Sequence, residues 1–134
     1  MAKLRHIAMS VPDPDKAADF YCQAFDMERI GERESSLAKG VFLSDGVITM
    51  ALLNFKTDEQ GPRDYVGLHH IGFWVDDLKE AEEKVEKAGA QYLMGRPEQD
   101  TTVFYEEKFR DPNGVIFDIT DLGWAGSVKD VVPK

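Results

Sequence analysis

The chain has 134 residues, 43% of them hydrophobic, and a formal net charge of −9 from 16 basic and 25 acidic residues. This length fits one compact domain, and the acidic balance without a basic run argues against nucleic acid or an anionic membrane surface as a partner. Cys22 is the single cysteine, so no disulfide can form within the chain and a cytoplasmic location is predicted. We expect neither a signal peptide nor a membrane span, because no apolar run is long enough for either.

An internal repeat divides the sequence into two halves of similar plan. The segment from His6 to Asp13 matches the segment from His70 to Asp77 in its His, Ile, small residue, Val and Asp, all at the same offsets. Such a repeat indicates two related modules, here residues 1–60 and residues 61–134 with the C-terminal tail. Because a module of about 60 residues is marginal alone, we expect the two to share one core.

The first module is predicted to run strand, helix and then three strands. Residues 5–11 have the pattern of a strand, and Asp13-Pro14 is typical of a helix start. Residues 27–55 lack helical periodicity and predict three antiparallel strands, with Asp45-Gly46 as a hairpin turn. The polar stretch 56–64 predicts a linker to the second module.

The second module repeats this order. Its first strand covers the region 68–75, and its helix is capped by Asp77 and closed by Gly89. Three further strands are predicted at residues 90–93, 103–110 and 115–122, with a turn at residues 111–114. The tail is predicted either to be loose or to fold Trp124 back over the body. The fold class predicted from this order is α+β.

Three side chains on predicted strands are polar groups in apolar surroundings. His70 and Gly72 share one face of their strand, which leaves space above the sheet. His6 occupies the matching position of the first module, and Asp118 lies between two apolar residues, where a carboxylate is costly to bury without a partner or a metal ion. Each has a plainer explanation alone, as a core histidine or as a strand-end aspartate facing water. Their combination favours a shared site.

Short motifs follow one another in a fixed order between Leu4 and Asp121. They are His6-Ile7 with Val11-Pro12-Asp13, Phe20-Tyr21, His70-Ile71-Gly72 with Val75, and Asp111-Pro112-Asn113-Gly114 before Asp118. This series resembles the vicinal oxygen chelate superfamily, which includes glyoxalase I, methylmalonyl-CoA epimerase, extradiol dioxygenases, and bleomycin and fosfomycin resistance proteins. The resemblance implies two βαβββ modules whose mixed sheets curl around a shared metal cavity. It also implies metal ligands at His6, His70 and Asp118, with Met50 at the fourth position.

The ligand set implied by the resemblance is incomplete at Met50, because a thioether is a poor ligand for hard or borderline divalent ions. A register shift of two would place Leu52 there, which cannot bind either. Two histidines and one carboxylate remain, the pattern of non-haem Fe(II) oxygenases. The leading hypothesis is therefore an extradiol-dioxygenase-like enzyme that acts on a small metal-chelating substrate. Fe(II) is the favoured ion, and Mn, Zn, Ni and Co are the alternatives.

Two other hypotheses fit the same superfamily. One is a lyase or isomerase of the glyoxalase or epimerase type, in which water or an unassigned carboxylate is the fourth ligand. The other is a metal-free binding protein like the bleomycin resistance proteins, against which the retained His6, His70 and Asp118 argue. Because dimers are common in the superfamily, a homodimer is expected.

Several further residues receive predicted roles. Tyr105 is a candidate catalytic proton donor or substrate hydrogen bond, with a structural tyrosine as the alternative. His69 is expected to face away from His70. The run from Glu106 to Lys108 is predicted to be a solvated edge, although one glutamate there is a candidate base. The predicted substrate pocket consists of Phe42, Met50, Leu52 and Trp74, which fit a plain core equally well.

Overall fold

The order strand, helix and three strands occurs twice along the chain. The structure is a computed structural model and describes residues 1–96 and 106–133. The first half contains β1 (Lys3–Ser10), α1 (Pro14–Phe25), β2 (Glu28–Glu34), β3 (Ala38–Ser44) and β4 (Thr49–Phe55). The second half contains β5 (Gly67–Trp74), α2 (Leu78–Lys87), β6 (Gln91–Met94), β7 (Glu107–Arg110) and β8 (Ile116–Thr120). Part of the strand predicted at residues 103–110 lies outside the described residues.

Both helices begin and end where the sequence predicts. The side chain of Asp13 accepts a hydrogen bond from the backbone N–H of Lys16 at 3.2 Å, and Asp77 accepts one from Glu80 at 2.8 Å. These caps satisfy N–H groups that have no partner in the first turn. Asp26 ends α1 in the left-handed conformation, with φ of 57°. The helix positions are therefore fixed by local chemistry before tertiary packing is considered.

The described strands form one mixed sheet in the order β2-β3-β4-β1-β5-β8-β7-β6. The first strands of the two halves, β1 and β5, pair antiparallel at its centre, and each pairs in parallel with the last strand of its own half. This curled, open α+β sheet confirms the predicted fold class. The division into domains at residues 60 and 61 stays a prediction. Within the described part of the chain, no helix is long and apolar enough to cross a membrane.

One face of the sheet carries the helices, and the other carries the cavity. Leu52 is fully buried in a cluster under α1 with Val41 and Leu43, and Met50 packs against the same cluster. The prediction that Met50 and Leu52 line the pocket is therefore wrong. The reason is strand register: His6 pairs with Thr49, so the alternate residue Ala51 faces the cavity with Thr49.

The second helix covers a matching cluster on the same face of the sheet. Phe109 and Ile119 are almost completely buried in it, and Val85 of α2 packs against them. Glu107 is also fully buried. The run from Glu106 to Lys108 is thus not a solvated edge, because β6 continues the sheet beyond β7 and residues of β7 alternate between its two covered faces.

Candidate metal centre and cavity

His6, His70 and Asp118 come together on three neighbouring strands. They lie on β1, β5 and β8, and in the strand pairing Gly72 of β5 is opposite both His6 and Asp118. All three side chains are buried, with residue exposures of 4%, 4% and 0%. Gly72 is needed between them, because a Cβ there would lie 2.8 Å from the Cβ of His6 and 2.7 Å from the ring of Trp124. The two histidines therefore lie on the same face of the sheet, one on each strand of the central β1–β5 pair.

The three candidate ligand atoms form a small triangle. His70 Nε2 lies 3.1 Å from Asp118 Oδ2, His6 Nε2 lies 3.6 Å from the same oxygen, and the two Nε2 atoms are 3.3 Å apart. With ligand bonds of about 2.1 Å, adjacent donors around one ion are separated by about 3.0 Å in an octahedron and about 3.4 Å in a tetrahedron. The observed separations match these values. The triangle has the dimensions of one face of a metal coordination shell.

Ala51 occupies the position that would complete this set by symmetry. In the second half, Asp118 pairs with Gly72, which lies two residues after His70. In the first half, Ala51 pairs with Ala8, which lies two residues after His6. The fourth position is therefore Ala51 and not Met50, because β4 is offset by one residue from the alignment of the two turns. A methyl group offers no donor atom. His6, His70 and Asp118 are therefore the candidate ligands at this site, and the fourth position of the set is filled by Ala51 where the sequence predicted Met50.

The orientation of His70 is fixed by its neighbour His69. The Nδ1 atoms of the two rings are 2.7 Å apart, and Nε2 of His69 lies 2.8 Å from the backbone oxygen of Gln60. The prediction that His69 faces away from His70 is wrong. In the pairing with β1, Ala8 is opposite His70 and Met9 is opposite Leu68, so a β-bulge skips His69 and turns both rings to the same side.

This chain of contacts determines which nitrogen of His70 carries the proton. A carbonyl oxygen only accepts, so Nε2 of His69 donates to Gln60 and Nδ1 of a neutral His69 must accept. Nδ1 of His70 then donates to His69, and Nε2 of His70 presents a bare lone pair to Asp118. A lone pair facing a carboxylate oxygen is repulsive unless a cation lies between them. Metal-binding histidines are typically oriented in this way by a partner on the other nitrogen.

The protonation states suit the same role. Burial lowers the pKa of His70 to about 3, although Asp118 opposes the shift, and burial also lowers the pKa of His6. Burial alone would raise the pKa of Asp118, but the pKa is lowered, because the ammonium group of Lys108 donates to this carboxylate. At neutral pH the site therefore consists of two neutral imidazoles and one carboxylate. Oδ2 of Asp118 accepts no hydrogen bond from the described residues, whereas Oδ1 accepts one from Lys108 at 2.8 Å. The donor set fits a divalent cation.

A cavity of about 730 Å³ opens above the triangle. Its volume is within the usual range for small-molecule sites, about 300–1,000 Å³. Of the predicted pocket residues, Phe42 lines it. Trp74 instead turns toward the segment after β8, where its ring packs on Gly123 and its N–H donates to the oxygen of Asp121. Tyr105, the predicted catalytic residue, lies outside the described residues.

The C-terminal tail forms one wall of the cavity. From the sequence, it remained open whether this tail is loose or folds back. Trp124 folds back and stacks on His6, with ring centroids 4.8 Å apart and an angle of 14° between the planes. The tail is held by hydrogen bonds from Ser44 and Thr49 to the backbone oxygens of Gly126 and Ala125. Among the described residues, none makes a hydrogen bond of normal geometry with Nδ1 of His6, and the stacked indole packs against the face of this ring.

Comparison with known proteins identifies the family. The model of the Glyoxalase/Bleomycin resistance protein/Dioxygenase superfamily matches residues 3–119. The chain belongs to this superfamily. The search of curated proteins gave no match.

Solved structures of other proteins share the fold of this chain. A hypothetical protein from Bacillus halodurans is 20% identical with a TM-score of 0.72, and the match covers 99% of both chains. The Streptomyces coelicolor methylmalonyl-CoA epimerase in complex with 2-nitronate-propionyl-CoA is 18% identical with a TM-score of 0.71, over 87% of this chain and 94% of that one. The Mycobacterium tuberculosis methylmalonyl-CoA epimerase is 15% identical with a TM-score of 0.65, over 87% and 85%. These identities establish a common fold and no more.

The contact between His69 and His70 predicts a large effect on metal affinity. His69→Phe retains a ring that can stack on Phe55, whose centroid is 4.4 Å away, but removes the acceptor for Nδ1 of His70. Zinc binding measured by titration calorimetry is expected to weaken about 10- to 100-fold, the usual effect of losing such a partner. His69→Asn is the matched variant, because its amide oxygen can restore part of the affinity. Equal zinc affinity in the wild type and in His69→Phe would contradict this role.

The lowered histidine pKa values predict that the metal-free protein loses stability in mild acid. Below about pH 6.5 an unfolded histidine binds a proton, whereas His70 in the folded chain does so only near pH 3. The unfolded state then binds more protons, so acid favours unfolding by up to about 1.4 kcal/mol per pH unit for each such histidine. The lowered pKa of Asp118 changes the free energy of unfolding only below about pH 3.8, the ordinary pKa of this carboxyl group.

Urea denaturation at pH 7 and pH 5 in the presence of a chelator tests this expectation. The wild type should become less stable at the lower pH, and His70→Asn should show a smaller loss because one of the buried imidazoles is gone. A loss that is the same in both proteins would show that His70 is not held neutral in the fold.

Proposed function

We propose that the chain is a metal-dependent enzyme that holds a divalent cation with His6, His70 and Asp118. The observation that carries this proposal is the triangle of ligand atoms, 3.1–3.6 Å on each side, in which a bare lone pair faces a carboxylate. When bound, the ion would supply Lewis acidity toward the oxygens of a substrate. The substrate is a small molecule with two adjacent oxygens that fits the cavity above the triangle.

Extradiol-dioxygenase-like chemistry is the favoured form of this activity. Two histidines and one carboxylate on one face, with open positions opposite, are the ligand pattern of non-haem Fe(II) oxygenases. Ala51 supports this choice, since it contributes no fourth ligand from the first half. Fe(II) is therefore the proposed ion, and Mn, Zn, Ni and Co remain alternatives. Asp118 in place of a longer carboxylate is accommodated because its two neighbours on the triangle already lie within 3.6 Å.

The residues of this chain have distinct tasks in the proposal. His69 holds Nε2 of His70 toward the ion, and Trp124 holds the ring of His6. Lys108 donates a hydrogen bond to Oδ1 of Asp118, which leaves Oδ2 for the ion. Phe42 contributes an apolar wall, which suits an aromatic or alkyl group on the substrate.

An epimerase or glyoxalase-type isomerase or lyase is the second candidate. Two of the solved structures with this fold are methylmalonyl-CoA epimerases, one in complex with 2-nitronate-propionyl-CoA. A metal-free binding protein is the third candidate, and the buried Oδ2 of Asp118, which accepts no hydrogen bond from described residues, argues against it. Homodimer formation and a cytoplasmic location stay predictions.

Reconstitution with single metals separates the three candidates. Protein prepared without oxygen is loaded with Fe(II), Mn(II) or Zn(II), metal content is measured, and oxygen uptake is followed with catechol as the probe. Uptake with Fe(II) or Mn(II) but not with Zn(II) supports the dioxygenase-like reading. Metal binding without oxygen uptake would favour the isomerase or lyase. Failure to bind any of the three ions would reject the metal-dependent proposal.

A further inference from the structure

Glu106 is a carboxylate of the cavity wall to which the metal triangle assigns no role. It precedes β7, and its side chain is 24% exposed toward the cavity. It is close enough to His6 for its charge to oppose the lowering of the pKa of that histidine. The carboxylate therefore lies beside the triangle but is not one of its corners.

Two groups orient Glu106 from opposite sides. Oε2 accepts a hydrogen bond of 2.7 Å from Nε1 of Trp124, the indole that stacks on His6. Oε1 lies 3.7 Å from Nζ of Lys108, which also donates to Asp118 at 2.8 Å. Glu106 is thus connected to one ligand through an indole and to another through an ammonium group, so its position is fixed relative to the triangle.

The other glutamates of the cavity wall lack this arrangement. Glu32 is paired with Arg29 and its side chain is 67% exposed, and Glu59 is also exposed. Ala51 offers no carboxylate where the symmetry of the two halves would place one. Among the described residues that line the cavity, Glu106 is the glutamate that is largely shielded from bulk water and held by one hydrogen bond and one ion pair.

We propose that Glu106 is the catalytic base that takes the proton from a chelating hydroxyl of the substrate, positioned for this task by Trp124. The O–H bond of the substrate breaks, the proton moves to a carboxylate oxygen of Glu106, and the electron pair stays on the substrate oxygen as an oxyanion. The step needs no oxidant or reductant. A carboxylate held beside the substrate is an effective proton acceptor once the hydroxyl is acidified by a nearby cation.

This inference rests on the proposed metal-dependent function, and its test uses zinc-loaded protein so that no oxygen chemistry occurs. The probe is 4-nitrocatechol, a ligand with two adjacent hydroxyls whose visible absorption changes when they ionise. In mildly acidic buffer the probe enters as the neutral catechol, and loss of its proton at the zinc ion is followed by stopped-flow absorption. In Glu106→Gln the rate of this ionisation should fall at least about a hundredfold relative to the wild type, the low end for loss of a proton acceptor. Zinc affinity should change less than about twofold, because Glu106 is not a ligand.

Two further variants keep the experiment decisive. Trp124→Phe retains an aromatic ring against His6 but removes the N–H that holds Glu106, so it should slow ionisation of the probe less than Glu106→Gln does. Glu83→Gln removes a charge from the exposed surface of α2, on the other face of the sheet from the cavity, and should behave as the wild type.

The outcomes separate this inference from the proposed function. If wild-type protein binds no zinc, the proposed function fails. If zinc binds but Glu106→Gln ionises the bound probe at the same rate as the wild type, the inference about Glu106 fails alone. It also fails if the zinc-loaded wild type does not bind the probe, or if Glu83→Gln has the same effect as Glu106→Gln.

Discussion

His70→Ala is expected to abolish detectable binding of a divalent cation. His70 is the ligand whose lone pair is fixed by a hydrogen-bonded neighbour, and its Nε2 lies 3.1 Å from Asp118. Without it, His6 and Asp118 offer two donors 3.6 Å apart, and two ligands hold a divalent ion poorly in water. The wild type at a metal concentration about 100 times its Kd should gain about 2.7 kcal/mol of stability, and His70→Ala should gain none.

Titration calorimetry and thermal denaturation with and without zinc measure this difference. His69→Asn is the matched control, because it changes the neighbouring histidine and keeps all three proposed ligands, so some metal-dependent stabilisation should remain. Stabilisation of His70→Ala by zinc to the same extent as the wild type would show that the ion binds elsewhere.

Phe109→Ala is expected to cause the largest loss of folding stability among single substitutions under α2. The side chain has no exposed surface, stacks on Phe117 at 5.8 Å and meets Tyr92 edge to face at 5.7 Å. Removing a buried phenyl ring loses its transfer free energy and leaves a cavity, which together cost about 3–5 kcal/mol. The effect should be at the upper end, because rings on both sides limit collapse of the surrounding structure.

Phe25→Ala is the matched control for this substitution. Phe25 ends α1 and is 66% exposed, so its truncation should change the free energy of unfolding by no more than about 0.5 kcal/mol. Urea denaturation of the two variants at one pH gives the comparison. Similar losses in both would mean that Phe109 is not packed as the structure shows.

The sequence predicts most of the fold because its signals are local or repeated. The caps at Asp13 and Asp77 and the turn at Asp45-Gly46 depend on neighbouring residues, and the repeat relates β1 to β5 directly. The repeat also indicates that His6 and His70 share one position. Asp118 could be assigned to the same candidate site because a carboxylate among apolar strand residues needs a partner. The structure brings these three side chains together, and their role as metal ligands stays a proposal.

The features of the site that the sequence did not predict depend on the register of the strands and on the position of the C-terminal tail. A β-bulge at His69 reverses the side to which one ring points, and no residue type in the sequence marks it. The register of β4 differs by one residue from the predicted one, so Ala51 and not Met50 faces the cavity. Because side chains alternate along a strand, an error of a single residue assigns every side chain to the wrong face. Lys108 and Glu106 look like surface charges in the sequence, and only the return of Trp124 and the pairing of β7 show that they belong to the cavity.

The antiparallel seam between β1 and β5 also determines when the site can form during folding. His6 and His70 are separated by 64 positions in the chain, and Asp118 belongs with His70 in the second half. Pairing of strands so distant in sequence is slow relative to formation of helices and local hairpins. The complete triangle cannot exist before that seam closes, so the proposed ion would be captured late. In a refolding experiment, the rate at which a cation becomes tightly held would report closure of the seam, whereas helical circular dichroism would report the earlier local steps.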